Sequence, residues 1–305
     1  GIQLFKDAVS DAPTPVSEKL FETVLLQFPT NLFSRGQQIA ALQVAQLIET
    51  KIKDNPKQLL GLATFYLGVE KPDNARILAE SAILIDANMP AAYQTLGLAE
   101  RLNFNLEGSE KAYAKALEMD ANSTVSRRSL AEMKRATGKS DEAISLYREL
   151  VEKDANDGVS QNGLILALFD AGKKTEAEEL LGKSLVNNPN NLFLLVGAAY
   201  WYAAQGNGAR AVELGQKAVD IEPRYTWGRI ALARGFMLQK LPLEAEKTLL
   251  SAQKYGSFPT LDFELASARF QAGLFEESER KIKKRFAVKD GYVQTYIAGR
   301  TAKEA

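Results

Sequence analysis

The chain has 305 residues, 46% of them hydrophobic and 25% charged, an ordinary composition for a globular fold. Lysine plus arginine and aspartate plus glutamate number 38 each, so the formal net charge is zero and the basic surplus that neutralises nucleic-acid phosphates is missing overall. Cysteine and histidine are both absent, which excludes disulfides, thiolate nucleophiles, Ser-His-Asp arrangements and the usual zinc sites.

From the N-terminus, GIQLFKDAV lacks the basic and apolar regions of a secretion signal, and without an initiator Met residue 1 reads as a processing boundary. The compartment stays open between the cytoplasm and, with a leader removed, the periplasm or secretion. PVSEKLFETVLLQF, residues 15–28, predicts a first helix that ends at Pro29 and gives way to the loop PTNLFSRGQQ. From there the chain keeps a period. Ala41, Ala75, Ser109, Ala143, Ala177, Ala211 and Ala245 fall at a constant interval of 34, and so do Ile48, Ala82, Ala116, Leu150, Ser184, Ala218 and Ala252. Ala87, Ala121, Ala155, Pro189 and Pro223 keep the same interval, mostly after acidic or amide residues.

Each period reads as two helices. In residues 124–157, Leu130, Ala131 and Lys134 share one side of a first segment and Gly138 punctuates a turn. Ala143, Tyr147 and Leu150 then follow at helical spacing. Gly172 and Gly206 mark the same turn in the next two units. Small residues recur where helices approach closely, because a larger side chain would push their axes apart. LFLLVGAAYWYAA, residues 192–204, is the longest apolar run and is too short to span a bilayer. Further on, the alanine register lands on Glu279, one residue past Ser278, so the unit at 259–290 is degenerate. GYVQTYIAGRTAKEA, residues 291–305, reads as a first helix lacking its partner, which suggests a chain that continues. The expected organisation is a helix and loop over 1–36, regular repeats over 37–258, the degenerate repeat over 259–290 and a C-terminal helix over 291–305.

A 34-residue helical hairpin with Leu-Gly or Leu-Ala near its eighth position, Ala near its twentieth and twenty-seventh, and an aromatic residue or Leu near its twenty-fourth resembles the tetratricopeptide repeat. Tyr93, Leu96, Gly97, Tyr113, Ala116 and Ala121 carry the match in one unit. Leu59, Leu62, Ala63, Tyr66, Ala75, Ala79 and Ala82 carry it in the unit before. The resemblance implies an all-α fold, a right-handed superhelical α-solenoid of about eight helix-turn-helix repeats. It also implies a non-catalytic scaffold that binds a peptide or protein segment in its concave groove, without a cofactor.

The chemistry-bearing motifs are weak. GNGARA at 206–211 follows a helical segment where a dinucleotide loop needs a strand. DANDG at 154–158 lacks the glycine position and the glutamate of a calcium loop. NST at 122–124 is a sequon in a turn, and KIKKR at 281–285 follows three glutamates on a solvated face.

Carrying over the family's variable first-helix positions (second, fifth, ninth and twelfth) selects Gln94, Arg101, Arg128, Glu132, Arg135, Asn162, Phe169, Phe193, Tyr200, Trp227 and Arg234, followed by Phe263 and Phe270. Arg101, Arg128 and Arg135 would form a cationic centre for carboxylates, and the later positions an aromatic wall. The family's clamp for chaperone tails is absent, since Leu60, Thr64, Thr95, Val125 and Ser129 stand where it needs Lys, Asn and Arg. A protein or peptide is the expected partner, with neither nucleic acid nor membrane insertion. Self-association, or service as the recognition arm of a larger enzyme, sensor or membrane-associated assembly, is the competing expectation.

Overall fold

The sequence period becomes a series of helical hairpins. The computed structural model describes residues 2–256, 259–278 and 280, and within them there are helices and no strand. The expected helix at 291–305 and the basic run at 281–285 lie outside the described residues.

The chain divides into two compact units, Gly1–Lys153 and Asp154–Ala305. The first contains α1 (Ile2–Ser10), the single turn α2 (Glu18–Leu20), α3 (Gln27–Ser34), α4 (Gln38–Ile52) and α5 (Pro56–Gly68). It continues with α6 (Pro72–Ile85), α7 (Pro90–Leu102), α8 (Leu106–Met119), α9 (Thr124–Ala136) and α10 (Ser140–Lys153). The second contains α11 (Gly158–Asp170), α12 (Lys174–Asn187), α13 (Leu192–Ala204), α14 (Gly208–Ile221), α15 (Thr226–Leu238), α16 (Pro242–Gln253) and α17 (Pro259–Gln271). Neighbouring helices pack pairwise, as α7 does with α8 in the first unit and α13 with α14 in the second.

The turn inside each hairpin is set by one left-handed residue. It falls at Gly36, Glu70, Phe104, Gly138, Gly172, Gly206, Lys240 and Gly273, with φ between 58° and 82°. The residue after it donates its N–H to a carbonyl five residues back, as Lys139 does to Lys134 at 2.8 Å and Leu241 to Phe236 at 2.9 Å. This is the Schellman closure, which satisfies carbonyls that a helix end leaves unpaired. Glycine suits that conformation because it has no Cβ, so Glu70, Phe104 and Lys240 hold it under strain. Asparagine and serine begin many of the following helices. Asn55, Asn105, Ser123, Asn191 and Asn207 each accept a backbone N–H of the first turn.

The two packing registers are interior. Ala41, Ala75, Ser109, Ala143, Ala177, Ala211 and Ala245 are all 0% exposed, and the Ile48-to-Ala252 register is buried throughout. The register of Ala87, Ala121 and Ala155 lies in exposed turns. Ser109 does more than tolerate its site, because its hydroxyl donates to the Gly97 carbonyl at 2.7 Å. Ser278 repeats the arrangement, donating to Ala266 O at 2.8 Å. The one-residue slip in the last unit therefore keeps the packing position and its bond, and Gly273 slips with it.

The N-terminal segment departs from expectation. Helical structure does not stop at Pro29; α3 runs through it to Ser34, so residues 29–34 are helix where a loop was expected. Pro29 falls in the first turn of α3, where a missing N–H costs nothing. The break comes earlier, as a π-turn over Phe21–Leu25 in which Leu26 N–H donates to Phe21 O at 2.9 Å. Ahead of it, α1 is fixed by Lys51, whose ammonium donates to Ser10 O at 2.6 Å and Ala12 O at 3.3 Å.

Candidate functional site

In the first unit the candidate residues converge. Arg128, Glu132 and Arg135 occupy one face of α9 at helical spacing. Arg101, near the end of α7, meets Glu132 with both arms, Nη1 to Oε2 at 2.9 Å and Nη2 to Oε1 at 2.7 Å. Behind them lie two buried tyrosines, Tyr113 on α8 and Tyr147 on α10. Burial pushes Tyr147 up to about 12; Glu132 adds to the rise, while Arg135, Arg128 and Arg101 oppose it. Burial also raises Tyr113, opposed by a hydrogen bond with Ser129 and by Arg101. The Arg101–Glu132 pair thus brings Arg101 to the face of α9 that carries Arg128 and Arg135. Gln94 is engaged in holding α7 to α9, since its amide donates to Ser126 Oγ at 2.8 Å and Ser123 Oγ at 3.2 Å.

A second ionic cluster borders the patch. Glu110 on α8 accepts from Lys134 and Lys139, each at 2.8 Å, and Lys134 also reaches Glu142 at 2.7 Å. Burial alone would raise the Glu110 carboxyl, but the two lysines and Thr137 outweigh it and hold it at about 2. This cluster ties α8 to α9 and the turn after it.

The second unit arranges its candidates differently. Phe169 is 6% exposed and stacks on Trp201 with ring centroids 3.5 Å apart and planes at 14°. Trp201 and Tyr202 of α13 cover it, so this expected wall residue is an interior packing residue. Asn162 presses on α13, where a Cβ on Gly197 would come within 1.9 Å of its Oδ1. Phe270 is also buried and packs on Phe275 at 5.2 Å. Trp227 is 40% exposed, and Phe193 and Phe263 are also exposed.

Tyr200 and Arg234 are partners. The guanidinium of Arg234 lies 4.5 Å from the Tyr200 ring centroid, and the Trp227 ring centroid is 6.5 Å from that of Tyr200. Arg234 also donates to Glu264 Oε1 through Nε at 2.8 Å and Nη2 at 2.5 Å. Beside them is a cavity of about 370 Å³, bounded by Tyr200 and Ala203 on α13, Arg234 and Met237 on α15, and Phe263 and Glu264 on α17. The Tyr200 hydroxyl is buried and has no hydrogen-bond partner among the described residues. Burial raises its pKa, with Arg234 opposing and Glu264 adding, so the group stays a neutral donor.

Among the described residues no group of acidic side chains is placed to hold a metal ion, and no helix is long and apolar enough to cross a membrane.

Neither a protein-family model nor a curated protein matches the chain. Solved structures do. A tetratricopeptide repeat protein from Parabacteroides merdae is 14% identical, covers 80% of this chain and 97% of its own, and superposes with a TM-score of 0.53. The fold is a tetratricopeptide-repeat fold. Human IFIT1, solved as a dimer with m7Gppp-AAAA, is 18% identical over 94% of this chain and 73% of its own, with a TM-score of 0.52. YrrB, described as a tetratricopeptide protein with an unusual peptide-binding site, is 18% identical over 60% of this chain and 95% of its own, at a TM-score of 0.45. Identities this low speak for the fold alone.

Within the repeat, the two ion pairs at the candidate sites are the same device one helical turn apart. Arg101 pairs with Glu132 in the following first helix, and Arg234 with Glu264 in the following first helix. Sequence reasoning selects both arginines and Glu132. It misses Glu264, Met237 and Ala203, and with them the cavity. Ala203 gives no signal by itself because alanine is no anchor, yet it stands one repeat after Phe169 and one repeat before Met237, at a position where other repeats are large.

Proposed function

We propose that the chain is a non-catalytic interaction scaffold that binds a peptide or protein segment on its first-helix faces. In the first unit the preferred segment is acidic. The observation that carries this is the Arg101–Glu132 pair, which brings Arg101 to the face of α9 that also carries Arg128 and Arg135. The patch sets three guanidinium groups near the buried rings of Tyr113 and Tyr147. Arginine forks grip carboxylates through paired hydrogen bonds, and arginine is among the usual anchors of interfaces. The absence of histidine and cysteine supports the non-catalytic reading, since it removes the commonest acid–base and nucleophile sets.

The test is a peptide array of acidic, neutral and basic sequences probed with the full chain and with the Arg128→Glu, Arg135→Glu double variant. Acidic peptides should bind best, and the double variant should lose about tenfold or more of that binding. Unchanged binding by the variant would overturn the proposal. An RNA oligonucleotide belongs in the same experiment because the fold is shared with a protein solved with capped RNA. With no net basic charge in the chain, RNA should bind more weakly than the acidic peptides.

A further inference from the structure

The cavity of the second unit has an unbalanced wall. Three charged side chains border it, Arg234, Glu264 and Lys240. Arg234 directs Nε and Nη2 to one oxygen of Glu264, so those two charges offset each other. The Lys240 ammonium has no ion pair or hydrogen bond among the described residues, which leaves the wall with one uncompensated positive charge. Lys240 also stands with φ at 62° at the turn position that Gly138, Gly172 and Gly206 occupy elsewhere, so the side chain is kept at a cost to the backbone. A second donor on the wall, the Gln271 carboxamide at the end of α17, likewise has no partner among the described residues. Beside these polar groups lie Ala203, Met237, Leu238 and Phe263, and Leu238 and Phe263 leave 41% and 38% of their surface exposed. The volume of about 370 Å³ falls at the lower end of the roughly 300–1,000 Å³ of small-ligand pockets.

We propose that this cavity binds a small monocarboxylate with a branched or aromatic apolar body. The carboxylate accepts from the Lys240 ammonium and the Gln271 amide, and the body covers Met237, Leu238 and Phe263. Charge decides the class of ligand. A monoanion brings the wall to neutrality, whereas a dianion overshoots it in the presence of Glu264. An amine adds to the surplus at Lys240, and a neutral amide makes the apolar contacts but leaves that ammonium unmatched. A free acid and the end of a chain closing on an apolar residue carry the same chemistry, and the experiment separates them. The inference goes beyond the acidic-segment reading, which concerns the arginines of the first unit.

Methionine methyl groups give a direct readout, because there are four in the chain and Met237 alone borders the cavity, while Met89, Met119 and Met133 belong to the other unit. Full-length protein carrying 13C-methyl methionine is titrated at neutral pH with 4-methylpentanoate and 3-phenylpropanoate. The Met237 resonance should shift saturably with a Kd on the order of 1 mM, as expected for so small a ligand. The neutral isostere 4-methylpentanamide should bind roughly fivefold more weakly, the worth of one partly exposed ion pair. Butanedioate and 4-methylpentylamine should leave the resonance in place. Lys240→Gly restores the residue used at the other turns, so the fold is retained, and it should erase the preference for acid over amide. Added salt should weaken the acid and not the amide. Ala203→Leu, which puts a larger side chain on the wall, should weaken both. N-acetyl-alanyl-leucine carries the carboxylate at a chain end: weaker binding than 4-methylpentanoate assigns the site to a free acid, tighter binding to a chain end. No saturable shift at Met237, amine binding equal to that of the acid, or an acid preference that survives Lys240→Gly would each overturn the proposal. These outcomes are separate from the peptide array, where the double arginine variant tests the scaffold reading in the other unit.

Discussion

The two units use one repeat to make two kinds of surface. In the first, the Arg101–Glu132 pair joins α7 to the face of α9 that carries Arg128 and Arg135, and Tyr113 and Tyr147 are buried. In the second, α13, α15 and α17 border a cavity lined by Met237, Phe263, the Arg234–Glu264 pair and Lys240. The packing beneath differs as well. In the first unit Gly97 makes room for the Tyr113 ring, which a Cβ would meet at 2.9 Å. In the second, Gly215 faces main chain, and a Cβ there would come within 2.7 Å of Leu232 Cα and 2.8 Å of its N. A ring can pivot; a helix backbone has to be pushed away. Gly215 thus lets α14 lie against the backbone of α15, whereas the space beside Gly97 is filled by a ring.

The largest test of this contrast is a matched pair of substitutions. Gly215→Ala should destabilise by about 3 kcal/mol, because overpacking against backbone outweighs the roughly 1 kcal/mol gained in helix propensity. Gly97→Ala should cost about 1 kcal/mol, since Tyr113 can yield. Urea unfolding of the two variants, followed by hydrogen exchange in each unit, checks both magnitude and location. Equal costs would remove the distinction between ring-filled and backbone-filled interfaces.

Glu110 provides the next effect, confined to the first unit. Its carboxyl sits at about 2 in the folded protein against an ordinary value of 4.5. A depressed acid contributes stability that is complete above its unfolded pKa and disappears as pH falls through the folded one. As the pH falls from the ordinary value to the folded one, the first unit should therefore lose up to about 3 kcal/mol, each tenfold change in proton affinity being worth about 1.4 kcal/mol. Glu110→Gln should cost about 2 kcal/mol at neutral pH and flatten that dependence. An unchanged acid profile in the variant would show that Lys134 and Lys139 do not hold the helices together through this carboxylate.

The period, the turns and the interior are legible in the sequence because each is enforced by local chemistry repeated many times. An alanine that recurs in every repeat has to be buried to matter, and the members of that register are 0% exposed. Three features are not legible. Pro29 reads as a helix end, but whether a proline stops or starts a helix depends on hydrogen bonds made upstream, here by the π-turn at Phe21–Leu25. Phe169 reads as a wall residue, but its burial is decided by Trp201, a neighbour in the next first helix. The cavity is hidden because its lining comes from three helices that are far apart in the sequence.

The ion pair at the cationic patch should matter little for stability. Arg101 and Glu132 are each more than a third exposed, and exposed pairs contribute about 1 kcal/mol or less. Arg101→Met should therefore leave unfolding within about 1 kcal/mol of the parent, even though it removes one of the three guanidinium groups proposed to hold an acidic segment. Binding to acidic peptides should fall while stability stays, and a parallel loss of both would make Arg101 a packing residue.

The smallest effect runs the other way. Phe104 is 90% exposed and holds φ at 61°, at the turn position that Gly36, Gly138, Gly172 and Gly206 occupy in other hairpins. A side chain in that conformation costs about 1–2 kcal/mol, against which glycine loses more chain entropy on folding. Phe104→Gly should consequently stabilise the first unit by about 0.5 kcal/mol, with no change at Met237 in the second. The change removes no buried contact, so a stabilisation would isolate the backbone strain itself. A loss of stability would mean that the exposed ring is held by something the turn geometry does not reveal, and Phe104 would then join Arg101 and Glu132 in separating the surface of the first unit from that of the second.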